Sequence, residues 1–175
     1  MITHKIITSP VGLLTLVADD GVLTGLRMGP PVGLAGAGTP YGIAAEQGFE
    51  AAEHQLAEYF EGKRCCFTVP ADPQGTNFQR DVWEQVSGIG YGCTVSYKEL
   101  AVRLGDAAKA RSVGAALSRN PLNIVLPTHR VVGTRGALTG YSGGVETKRY
   151  LLDLEQSADT GHLRRDCGHR EQVPA

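Results

Sequence analysis

The chain opens in segments suited to strands and continues in segments suited to helices, and this change of pattern near Gln47 points to an α+β fold. Residues 1–28 contain HKIITSP, GLLTLVADD and GVLTGLRM, each short and rich in Ile, Val, Leu and Thr. Turn signals at Ser9-Pro10-Val11-Gly12 and Asp19-Asp20-Gly21 separate them, which predicts a meander of three strands. Residues 29–45 are rich in Gly, Pro and Ala and read as a long loop. Phe49, Ala52, Leu56 and Tyr59-Phe60 then recur at steps of three and four, the spacing of one helix face, and Gly62 is a stop. CCFTVP is read as a short strand and ADPQG as a linker. The expected units are an N-terminal domain of sheet plus helix at 1–72, a mostly helical domain at 76–156 and a flexible tail at 157–175.

The second unit carries the more specific signals. TNFQRDVWEQVSGI is amphipathic, with Phe78, Val82, Trp83 and Val86 on one side. Ser96 followed by Glu99 is a capping box opening a short helix; Gly105 ends it and Asp106 can cap the next. In that next helix Ala110, Val113, Gly114 and Leu117 form an inward stripe, which leaves Lys109, Arg111, Ser112 and Arg119 off it. Two short helices joined by a glycine-containing turn, the second one basic, match a helix-turn-helix, although an ordinary helical hairpin has similar spacing. A strand is expected at 123–126, then a glycine-rich hairpin-like loop of the kind a winged helix presents. A last helix is read from Lys148 to Glu155.

Charge distribution narrows the class of partner. Residues 1–95 hold five Lys/Arg against ten Asp/Glu, whereas residues 96–150 hold nine against three. A basic third within a chain of net charge −1 suits an anionic partner, or is simply a basic surface without one. No apolar stretch is long enough for a membrane span, and the apolar run of MITHKIITSPVG is too short for a signal peptide, so cytoplasmic residence is expected. The four cysteines resemble neither a disulfide framework nor a paired zinc site. His162, Cys167 and His169 lie close together in sequence, but they read as part of a mobile polar tail in preference to a metal site.

PLNIVLPTHRVV is the stretch most suggestive of chemistry, because an aliphatic run ends where Thr128, His129 and Arg130 arrive together. With TNFQRDVWEQV, GYGCTVSYKELA, AKARSVGAALSRNP, LTGYSGG and KRYLLDLE, in this order, it resembles the O(6)-alkylguanine-DNA alkyltransferase family. The N-terminal IITSPVGLLTLVADDGVLTGLRM resembles the family's first domain, so the likeness runs from about residue 2 to residue 156. The family signature is Pro-Cys-His-Arg, and its cysteine accepts the alkyl group; Pro127-Thr128-His129-Arg130 stands in its place. A thiol with a reference pKa near 8.5 supplies thiolate near neutrality, whereas a threonine hydroxyl needs a strong base. Thr128 is also β-branched and restricted in rotamer. Alkyl transfer is therefore expected to be lost or very slow.

The resemblance implies a role for each matching residue. His129 and Glu155 match the relay that, with a water, draws the proton from the cysteine; without that likeness they read as a buried hydrogen-bonded pair. Arg111 matches the finger that replaces the flipped nucleotide in the base stack, Tyr97 the residue that helps rotate it out, and Asn120 the hinge before the active-site strand. Ser142 matches the loop residue whose backbone faces the guanine oxygen, Tyr141 a pocket wall, and Val131 pocket backbone. Gly114 and Ala115 reduce the bulk of a helix placed in the narrow minor groove, although close helix packing would also favour them. Ser112, Arg119 and Arg135 are candidates for base or phosphate contacts. Solvated surface arginines, a glycine-rich turn and a helix stop are the plain alternatives.

His4, Cys65 and Cys66 make no convincing metal site, and neither metal nor cofactor is expected. The implied partner is duplex DNA containing O(6)-alkylguanine, followed by nucleotide excision repair proteins, with a monomeric chain and no membrane. Two rivals remain: a methyltransferase whose acceptor was changed to Thr128, and a winged-helix regulator without lesion chemistry.

Overall fold

The structure is a computed structural model that describes residues 1–33, 39–157 and 161–163. Its N-terminal sheet has the order β3-β2-β1-β4. Strands β1 (Ile2–Ser9), β2 (Gly12–Asp19) and β3 (Val22–Met28) form the expected antiparallel meander. The turns work as read: Gly12 and Gly21 have φ of 101° and 83°, values that favour a residue without Cβ. β4 (Ile43–Ala44) pairs in parallel with β1 at Thr3 and His4, inside the stretch read as loop. Two residues are too few to leave a pattern. The sheet buries Leu14, Leu16, Leu23 and Leu26 against α1 (Glu50–Phe60), whose Ala52, Leu56 and Tyr59 point inward.

The strand expected in CCFTVP is absent. Its end touches β3 through a single bridge, Leu23 to Ala71, because Pro70 has no N–H to extend a ladder. Leu26, farther along the same edge of β3, bridges Leu122. One edge of the N-terminal sheet is thus fastened to a segment nearly a hundred residues away.

The helical half follows its caps. Thr76 and Gln79 form a reciprocal capping box on α2 (Asn77–Ser87), and Ser96 and Glu99 form another on α3 (Tyr97–Arg103). Asp106 accepts from the Ala108 N–H, after which a 3₁₀ turn at Ala107–Lys109 leads into α4 (Ala110–Ser118). Val82, Trp83, Val86, Leu100, Val113 and Leu117 meet in a second core, where the Trp83 indole donates to the Ala116 carbonyl at 3.0 Å. β5 (Val95–Ser96) and β6 (Val131–Val132) make a two-stranded parallel sheet, and the glycine-rich stretch after β6 forms no ladder.

The strand expected at 123–126 is replaced by a tight turn. Ile124 has φ of 71°, a left-handed conformation costly for a β-branched residue, and Leu126 N–H returns to the Leu122 carbonyl. The chain is held so by burial of Leu122 and Ile124 in the first core. That core also takes Leu151 from α5 (Val145–Gln156), so it draws on both halves of the chain. The predicted tail lies mostly outside the described residues, but Leu163 packs into the same core.

Candidate functional site

Pro127 leads into a 3₁₀ turn at Thr128–Arg130, and all three turn residues are buried. α5 runs beside this turn. Lys148, Leu151, Leu152 and Glu155 follow one another at helical spacing on its buried face, so a cation and an anion enter the protein together.

Glu155 is fully buried and is the hub of the site. Its Oε1 lies 2.8 Å from His129 Nε2 and accepts from Tyr59 Oη at 2.7 Å and Arg130 Nη2 at 3.0 Å. Its Oε2 accepts from Arg130 Nε at 2.8 Å and the Gly92 amide at 3.1 Å. Burial works against the Glu155 charge, but the His129 and Arg130 donors outweigh it and hold the carboxyl well below its usual range. Burial pushes the His129 imidazole down, against the pull of Glu155. His129 is therefore neutral near pH 7. An ionised Glu155 can only accept, so the proton sits on Nε2 and leaves Nδ1 as a lone pair. That Nδ1 is buried and has no hydrogen-bond partner among the described residues. Tyr141 stands edge-on to the imidazole with ring centroids 6.4 Å apart, and its buried hydroxyl also lacks a partner among the described residues.

Thr128 is 5% exposed. Its Oγ1 accepts from Asn120 Nδ2 at 3.2 Å, while the same amide group donates to Leu126 O at 3.0 Å and Asn120 Oδ1 accepts from Leu122 N–H at 2.9 Å. Asn120 thus fixes the turn that carries Thr128. One donor on Oγ1 eases a developing negative charge, but it leaves a hydroxyl far short of a thiolate.

Among the residues named from the resemblance, Asn120 contacts Thr128, and His129 contacts both Glu155 and Tyr141. Tyr97 is half-buried at the start of α3; its hydroxyl donates to the Thr139 carbonyl at 3.0 Å. Val131 turns its side chain into the second core, and its carbonyl accepts from Lys148 Nζ at 2.6 Å. Lys148 also donates to Thr139 O at 2.9 Å and lies 5.8 Å from the centroid of the Tyr97 ring. Burial pushes its ammonium down to about 8. Arg111, Ser112 and Ala115 form an exposed face of α4, Arg119 is exposed just past its end, and Arg135 and Ser142 are exposed in the loop after β6. A Cβ at Gly114 would meet the Tyr97 ring only at an ordinary 3.9 Å, so internal packing does not require glycine there.

The sequence places Tyr59 only on a helix face and Lys148 only at a helix start, and it gives no signal for Asn123. The spacing of Lys148 with Glu155 on one helix face was a readable signal, but the partner of the Tyr59 hydroxyl was not. A cleft of about 610 Å³ between β1 and α1 is lined by none of the candidate site residues. No group of three or more His, Cys, Asp or Glu among the described residues is placed to hold a metal.

Comparison with known proteins accounts for both halves. Residues 2–73 match the ribonuclease-like domain of 6-O-methylguanine DNA methyltransferase, and residues 77–157 match the DNA binding domain of the same protein family. The chain belongs to the 6-O-methylguanine DNA methyltransferase family. The methylated-DNA–protein-cysteine methyltransferase of Mycolicibacterium paratuberculosis is 42% identical over 160 residues, covering 89% of this chain and 93% of that protein. The crystal structure of the Mycobacterium tuberculosis O6-methylguanine methyltransferase superposes with a TM-score of 0.81 at 42% identity, covering 89% of this chain and 93% of that one. A structure of the M. tuberculosis protein in complex with DNA has a TM-score of 0.79 at 42% identity, covering 90% and 96%. These similarities make the chain a member of a DNA-repair family that binds DNA. No described helix is long and apolar enough to cross a membrane.

Proposed function

We propose that this chain binds duplex DNA through α3 and α4, receives an O(6)-alkylguanine turned out of the stack, and holds it without accepting the alkyl group. The observation that carries this reading is the group at the end of the Asn120 amide. Where the family signature has a thiol, Oγ1 of Thr128 stands beside a His129–Glu155 pair that retains its hydrogen bond. In this reading Arg111 fills the space left by the base, Tyr97 helps rotate it, and Tyr141, Val131 and Ser142 surround it. Ser112, Gly114 and Ala115 let α4 approach the minor groove, while Arg119 and Arg135 meet phosphates. The bound lesion would then pass to excision repair, with the protein acting as a monomer in the cytoplasm.

The test is an intact-mass measurement after incubation with an O(6)-methylguanine duplex, paired with binding curves for that duplex and its unmodified counterpart. Preferential binding without added mass is expected. Equal affinity for the two duplexes would sink the reading. A gain of one methyl group would make the chain a transferase, and peptide mapping would then distinguish Thr128 from the exposed thiol of Cys93.

A second reading treats the chain as a methyltransferase with only its acceptor replaced. The free lone pair of His129 Nδ1 and the Asn120 amide directed at Oγ1 favour it. Thr128→Cys would then acquire stoichiometric methyl transfer. A folded variant that stays unmethylated would argue against it.

A further inference from the structure

Ser142 sits in a loop with little internal stiffness. Gly140 and Gly144 flank it at φ of 48° and 87°, and the segment has no ladder of its own. Two contacts nevertheless give the loop a fixed seat, and both lead to β3 of the N-terminal sheet. The first runs through Asn123, which is 3% exposed. Its Nδ2 donates to the Leu26 carbonyl at 3.1 Å and its Oδ1 accepts from Ser142 Oγ at 2.7 Å. Leu26 O can only accept, so the amide has one possible orientation and Ser142 must be the donor. The Asn123 backbone N–H also donates to Leu26 O, at 3.0 Å, so the residue cannot swing without losing both bonds to that carbonyl. The second contact is at Gly143, where a Cβ would lie 2.7 Å from Met28 Cγ. A larger residue there would have to displace the Met28 side chain, so glycine lets the loop lie this close to β3 undisturbed.

We infer that β3, acting through Asn123, sets the position of Ser142 and so controls discrimination between an alkylated and an ordinary base. This rests on the proposed role of Ser142 as the loop residue facing the base. Asn123 is then a positioning residue: its side chain is engaged on both sides within the protein. Its influence falls on recognition in the pocket and leaves the exposed Arg111 of α4 and Arg119 beyond it untouched.

The experiment compares dissociation constants for an O(6)-methylguanine duplex and the same unmodified duplex. Wild type, Asn123→Ala, Ser142→Ala and the double variant are measured. Asn123→Ala is expected to lower the preference for the lesion about tenfold, the equivalent of one well-placed hydrogen bond, with affinity for unmodified DNA unchanged. Ser142→Ala removes the same bond from an exposed position, where folding is not at risk, and is expected to lower the preference for the lesion by the same factor. The double variant should be no worse than either single one, because one link is broken in all three. Full lesion preference in Ser142→Ala, or equal weakening on both duplexes, would overturn the inference. A wild-type chain with no lesion preference would overturn the proposed function as well, so the two failures are distinguishable.

Discussion

The phenol of Tyr59 donates to Glu155 Oε1 at 2.7 Å, although the two residues lie 96 positions apart. It comes from α1, packed on the N-terminal sheet, and ends on the carboxylate that also orients His129. The polar centre of the helical half is therefore completed by a side chain from the other half. Burial raises the Tyr59 hydroxyl well above its ordinary pKa, and the Glu155 charge adds to this, so it remains a donor throughout the physiological range.

Tyr59→Phe keeps the ring and removes that donor. A hydrogen bond to a charged group contributes roughly 1.5–3 kcal/mol, so a loss of this size is expected in urea unfolding, with the denaturant slope unchanged. A loss near zero would mean that Glu155 is satisfied without Tyr59.

Glu155→Ala should cost more. It strands the Arg130 guanidinium, whose side chain is 8% exposed and whose Nε and Nη2 both donate to this carboxylate. Removing one partner of a buried pair typically costs about 3–5 kcal/mol. Unfolding curves for the two variants should therefore rank Glu155→Ala below Tyr59→Phe.

The site also predicts the acid side of the stability profile. His129 has a lowered pKa in the fold, so its contribution is fully present above the ordinary imidazole value near 6.5. That contribution declines as pH falls below this value, because the unfolded chain takes up the proton more readily. Glu155 is also depressed, so a second loss begins below about pH 4.3. Urea midpoints measured from pH 8 down to pH 4 should drop, and His129→Gln should flatten the first part of the drop.

The exposed arginines separate affinity from selectivity. Arg119→Ala and Arg135→Ala are expected to weaken modified and unmodified duplexes alike, each reducing the slope of log affinity against log salt by about 1. Arg111→Ala should also reduce the preference for the lesion. Binding titrations at several salt concentrations would separate these outcomes.

Much of this arrangement was readable from local chemistry. Turn residues marked the three strands, and the capping box read at Ser96 and Glu99 starts α3. The meeting of Thr128, His129 and Glu155 was legible only through family resemblance, since nothing local brings residue 155 to residue 129. Ile124 shows where local reading fails. An aliphatic run suggests a strand, but tertiary burial bends this one through a left-handed residue. β4 was too short to see, and the Leu26 carbonyl that organises Asn123 has no sequence signal, because every residue has a carbonyl.

Leu122, Ile124 and Leu151 lie in one core with Leu14, Leu26 and Leu56. This bears on inheritance as well as on stability. A crossover that joined the first 73 residues of one relative to the remainder of another would respect the two family domains and still split a single packed interior. Chimaeras between members of this family should survive only where both sets of core residues come from one parent, or where their volumes happen to match.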